Sequence, residues 1–205
     1  MILNILALTI ATFASMAGPL APEQSRVLAQ EQFSLQKRYP NAWVNEVFKD
    51  NILLTLSRMD GSVDTPVTKP RTFALSLSPG ELFAFHEDVL DQYKGKPIKT
   101  MKSHFNYSDG FQSSGYLYGD GVCHLASLLY RTAKDAGLDA YAPTNHDFAT
   151  IAEVPREFGV SIYFSPNQTA ANARQNLYIT NTKNRPIQFV FTNDGTNLSV
   201  RIIEQ

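Results

Sequence analysis

The sequence predicts an α+β fold in one domain, and three observations carry that expectation. Apolar residues recur at three- and four-residue steps in the first part of the chain and again at its centre. The last third shows short β-rich runs separated by Asn, Gly and Pro turns, so helices precede a mainly antiparallel sheet. The length, 205 residues, suits one domain with a short appendage.

The chain opens on an appendage. Met1 to Ala21 holds no charged side chain and is rich in Ile, Leu, Ala and Phe, with the small residues Ser15 and Ala17 before the helix breakers Gly18-Pro19. That pattern predicts an export signal or a membrane anchor over 1–21, and with it an exported or anchored protein of the cell envelope. The domain then runs from 23 to 205. Its helical lead-in, 23–61, holds two expected helices. One covers Glu23 to Arg38, where Val27, Leu28, Phe33 and Leu35 stand among Gln and Glu and Tyr39-Pro40 stops the run. The other covers about Asn45 to Met59 and ends at Asp60-Gly61.

Thr72 to Leu77 alternates as a strand does, and Pro79-Gly80 turns the chain. Asp91 to Gln112 carries no clean period, and most of it reads as loop. At the centre, Val122, Leu125, Ala126, Leu129, Ala133 and Ala136 form the apolar stripe of a helix opened by Gly121-Val122-Cys123, with Asp120 as N-cap and Gly137 as stop. Strands are expected over Leu138–Ala142, Val160–Phe164, Leu177–Thr180, Ile187–Phe191 and Leu198–Ile203, and Asn193-Asp194-Gly195 makes a hairpin of the last two.

Composition removes several function classes. Eighteen basic against nineteen acidic residues leave a net charge of −1, which gives no footprint for nucleic acid and leaves membrane contact to the N-terminal segment alone. One cysteine excludes a disulfide scaffold. No histidine pair has zinc-ligand spacing, Gly119-Asp120-Gly121 lacks the further glycine of a dinucleotide loop, and no phosphate-cradling loop is present, so no metal or cofactor is expected.

Cys123 is the residue on which chemistry could rest. A thiol in the first turn of a helix meets unpaired N–H groups and the positive end of the macrodipole, both of which favour thiolate. The plainer reading makes it a small buried hydrophobe. Four histidines are available as base: His86, His104, His124 and His146. His124 adjoins Cys123 but points away around the helix, whereas His146 follows the next strand and could fold back onto the helix start.

Several blocks carry a resemblance. Pro79 to Phe85, Gly119 to Ala126 with Leu129-Tyr130, Asn145-His146, Val154-Pro155, Asn176 to Ile179 and the closing Leu198 to Ile202 resemble the VanW family over about 72–203. The family is associated with bacterial envelopes and takes its name from a glycopeptide-resistance gene cluster. The resemblance implies a pocket built on the helix start, with Gly121, Val122 and His124, and on the loop of Asn145 and His146. It also implies a cell-wall peptide or precursor as partner. A fainter similarity links the order of cysteine and histidine to transglutaminase-like and papain-like thiol folds. This chain departs from the family at His124, which replaces a glutamine, at Gly159, where an aspartate is lost, and at Asn176, which replaces another. Two functions follow as expectations. The first is thiol-dependent acyl transfer or amide hydrolysis, with Cys123 as nucleophile, His146 as base and Asn176 or Asp147 orienting it. The second is a non-catalytic envelope module that binds in the same pocket.

Overall fold

The computed structural model describes residues 25–62, 69–115 and 118–205. The expected export segment lies outside them. The described chain is α+β. One sheet has the order β1-β8-β7-β2 and is antiparallel throughout, built from β1 (Arg26–Ser34), β2 (Arg71–Leu77), β7 (Ile187–Asn193) and β8 (Asn197–Glu204). The second has the order β4-β3-β6-β5, from β3 (Leu82–Ala84), β4 (Ile98–Thr100), β5 (Asp139–Tyr141) and β6 (Tyr178–Thr180), with only β3 and β4 parallel.

Alternation on the first sheet sets its buried face. Phe73, Leu75 and Leu77 of β2, Ile187, Phe189 and Phe191 of β7, and Leu198, Val200 and Ile202 of β8 all point inward. Helix α1 (Ala42–Asp60) and helix α2 (Val122–Asp135) join that face in one core. The side chain of Asn41 caps α1 by accepting from the Val44 N–H at 3.2 Å, and Gly61, at φ 71°, ends it in the left-handed region. Consecutive residues Asn51 to Ser57 are buried, so this part of α1 is enclosed on all sides, while Trp43 in its first turn is exposed. Beyond α2, Gly137 at φ 66° stops the helix as expected.

Three expectations are corrected. The segment 23–38 supplies strand β1, not a helix. A register shift between Val27 and Ala29 leaves both Leu28 and Ala29 packed partly on the core, and this bulge gives the apolar residues a spacing that imitates a helix. Pairing along the whole edge of β8 then decides the conformation. Second, Val160–Phe164 is extended but joins no sheet. Its N–H groups go elsewhere: Val160 to the Ser127 hydroxyl at 2.9 Å, Ser161 to the Thr144 carbonyl at 3.0 Å and Tyr163 to the Gln175 carbonyl at 3.2 Å. Third, Asp120 does not cap α2. Its carboxylate accepts from the Ser114 N–H at 2.8 Å, and the capping position belongs to Gly121 at φ 99°. A short helix α3 (Thr169–Arg174) precedes β6 where the sequence offered no clear period.

Candidate functional site

The start of α2 is fixed by a close approach to α1. A Cβ on Gly121 would lie 2.5 Å from the Phe48 carbonyl oxygen, so glycine is demanded both by that contact and by the positive φ. This packing sets Val122, Cys123 and His124 at the wall of a cavity of about 500 Å³. Aromatic rings form much of its other walls, Tyr39 and Phe48 on one side, Phe105 and Phe164 on another, Phe148 and Tyr118 at the mouth, with Asp120, Asn106 and Thr150 among the polar lining residues. Phe148 is 77% exposed, which marks it as the rim.

Cys123 is half-buried, with its sulfur turned to the extended segment 160–164. The Ile162 N–H donates to Sγ at 3.3 Å, and the thiol donates to the Ile162 carbonyl at 3.5 Å. This pairing satisfies a thiol, since a thiolate would face the carbonyl oxygen with nothing to donate. Desolvation dominates the titration and, with Asp120 nearby, pushes the group up to about 11, against the Ile162 hydrogen bond. Both the pairing and the desolvation run against the activated thiolate that the helix-start position alone suggested.

His124 and His146 line the same cavity and face each other edge-on, ring centroids 6.3 Å apart. Each is almost fully buried, and the Nδ1 of each has no hydrogen-bond partner. Burial first, then the charge of Arg38 and the neighbouring His146, push His124 down to about 3. His146 is also lowered, chiefly by desolvation, against the opposing charge of Asp147. Both rings are thus neutral at pH 7. Phe48 packs edge-on to His124 at 5.0 Å, and Phe148 covers His146 at 4.0 Å. Arg38 is buried in the wall, ion-paired to Glu153 at 2.8 Å, with its Nε donating to the Ser34 carbonyl at 2.6 Å.

A model of the family described as VanW like protein matches residues 71–203, more than half of the sequence. The chain belongs to the VanW family. No curated protein and no solved structure matches it, so no matched thiol-enzyme fold stands beside the fainter likeness.

Within this VanW domain the structure gathers only part of the expected site. Gly121, Val122, Cys123, His124 and His146 share the cavity. Asn145 is exposed and outside the cavity lining, donating to the Arg156 carbonyl at 3.0 Å, and Gly159 packs under the same loop. Asp147 is exposed outside the cavity lining, its carbonyl held by Arg156 at 2.9 Å. Asn176 lies elsewhere, wholly buried among residues 85–88 and 177. Neither of the two expected orienters is hydrogen-bonded to His146.

Sequence reasoning passed over Arg38 and the aromatic walls, which come from segments distant along the chain. It also left His104 in a stretch read as loop. The structure pairs that ring with Glu87 at 2.6 Å and stacks it on Phe164 at 4.1 Å, at the cavity wall. Among the described residues no cluster of three metal-ligating side chains forms, and no helix is long and apolar enough to cross a membrane.

Proposed function

We propose that this VanW domain is a ligand-binding module of the cell envelope in which Cys123 is a structural thiol rather than a nucleophile. The observation that carries this reading is the Cys123 sulfur satisfied as a thiol by both backbone groups of Ile162, beside a cavity whose walls are aromatic rings and neutral imidazoles. A pocket of about 500 Å³ with apolar walls and a few polar atoms suits an apolar-bodied group of drug-like size. The family association makes a cell-wall peptide or its precursor the natural source of that group. The apolar segment Met1–Ala21 supports placement at the envelope.

Two measurements test the reading. The uncharged fluorophore N-phenyl-1-naphthylamine should bind with enhanced emission, and Ala149→Trp, which fills the cavity, should abolish that signal. Iodoacetamide alkylation of Cys123 should be slow at neutral pH and accelerate only towards pH 11. Alkylation titrating at or below the ~8.5 of a free thiol would return the protein to the acyl-transfer reading, with Cys123 as nucleophile.

A further inference from the structure

Besides the pair of buried imidazoles, the cavity carries a third histidine in a different state. The Nε2 of His104 lies 2.6 Å from a Glu87 carboxylate oxygen. A carboxylate only accepts, so Nε2 donates, and in the neutral ring the lone pair is then on Nδ1. This is the only carboxylate–imidazole pair among the described residues. The ring lies nearly flat on Phe164, 23° between planes, which restricts its rotation.

The backbone around it is held in an unusual form. Lys102 and Phe105 both have positive φ, 51° and 53°, without being glycine. Such strain persists only where neighbours over-determine it, and it concentrates at functional sites. Here Asp109 does the holding. Its carboxylate accepts from the His104 N–H at 2.5 Å and from the Ser103 hydroxyl at 3.2 Å. A chain bent at some energetic cost thus presents an oriented imidazole to an apolar cavity that also receives the N-terminal end of α2, a source of partial positive charge.

We infer that His104 and Glu87 form an acid–base couple that hydrolyses small esters with an apolar or aromatic acyl group bound in this cavity. The inference rests on the reading that the cavity holds such a ligand. His104 Nδ1 removes one proton from a water as its oxygen adds to the acyl carbon. The tetrahedral intermediate then breaks its bond to the alcohol oxygen, and the imidazolium returns the proton to the departing alkoxide. One ester and one water give one acid and one alcohol, with no redox partner. Glu87 is a positioning residue that fixes the tautomer and stabilises the imidazolium. An ester suits a cavity that presents an oriented base, since Arg38, buried in the same wall, is already held by Glu153.

The test uses the full chain and 4-nitrophenyl butyrate, following release of 4-nitrophenolate. Saturable hydrolysis is expected, with kcat reduced about 100-fold or more in His104→Gln. Glu87→Gln should lower kcat while KM stays near the original, and Glu87→Asp should recover part of the rate, which a merely structural carboxylate would not produce. No saturable turnover, or His104→Gln at the original rate, overturns the couple; so does loss of turnover in Cys123→Ala alone. A parallel titration with N-phenyl-1-naphthylamine separates the two failures. Binding without turnover removes the couple only, and absence of binding removes the cavity reading as well.

Discussion

Cys123 and Ile162 form a reciprocal contact, sulfur accepting from the Ile162 N–H at 3.3 Å and donating to its carbonyl at 3.5 Å. This joins α2 to a segment that has no strand partner, so the thiol serves as one of the hydrogen-bonding groups that a neighbouring strand would otherwise supply. Ser127, one turn further on, does the same for Val160 at 2.9 Å.

The contact predicts an alkaline signature. The folded thiol titrates near 11, above the ordinary 9.0, so between those values the unfolded chain loses its proton first. Stability is then fully present below pH 9 and falls as pH rises towards 11. The slope reaches about 1.4 kcal/mol per pH unit for one group. Urea unfolding across this range should show the difference between the parent and Cys123→Ala shrinking as pH rises.

The two imidazoles predict the opposite limb. His124 and His146 are both held below the ordinary 6.5, His124 at about 3, so on acidification the unfolded chain takes up protons that the folded one refuses. Stability present above pH 6.5 should therefore be lost as pH falls, towards 3 and by up to about 1.4 kcal/mol per unit for His124, with a loss of the same sign from His146. His124→Phe, which keeps the edge contact with Phe48, should flatten the acid limb of a denaturation series. An unchanged limb would mean that His124 is protonated in the fold.

Two glycines separate stability from site geometry. At Gly121 an added Cβ meets the Phe48 carbonyl at 2.5 Å and φ is 99°, so Gly121→Ala should cost about 2 kcal/mol or more in urea unfolding. Gly159 has an ordinary φ of −61°, and its Cβ would meet the His146 carbonyl at 2.7 Å. Gly159→Ala should therefore push the Asn145–His146 loop outward. It should weaken N-phenyl-1-naphthylamine binding more than it weakens the fold, read by fluorescence titration beside the same unfolding assay.

Legibility in the sequence followed the physical origin of each element. Strands β2, β7 and β8 alternate strictly because one face is buried, and α1 and α2 carry helical spacing with glycine stops, so these elements could be read directly. Strand β1 could not, because its bulge breaks the alternation and its partner lies at the far end of the chain. Residues 160–164 have the composition of a strand, yet their partners are the side chains of Cys123 and Ser127 and the carbonyls of loops. In the site, the family blocks brought forward the helix start and His146. The pairing of His104 with Glu87 escaped notice because a pair formed by folding leaves no spacing to detect.

Asn176 gives the last prediction, because its place differs from the orienting role expected of it. The Oδ1 accepts from the N–H groups of Phe85 and Leu177, both at 2.9 Å, and the Nδ2 donates to the carbonyls of His86 and Asp88, both at 3.1 Å. One amide thus ties residues 85–88, which follow β3, to the start of β6. Asn176→Ala leaves these buried groups unpaired and should cost about 3 kcal/mol or more. Asn176→Asp keeps the acceptor but sets its second oxygen against two carbonyls, where an ionised carboxylate has no donor to offer. Its pKa in the fold is therefore raised, and stability is lost as pH rises through the carboxylate range. Asn176→Asp should regain ground relative to Asn176→Ala below about pH 4, where the protonated acid can donate. Were Asn176 an orienter of His146 instead, both variants would retain stability and alter the alkylation of Cys123, so unfolding and alkylation rates measured on the same proteins distinguish the two roles.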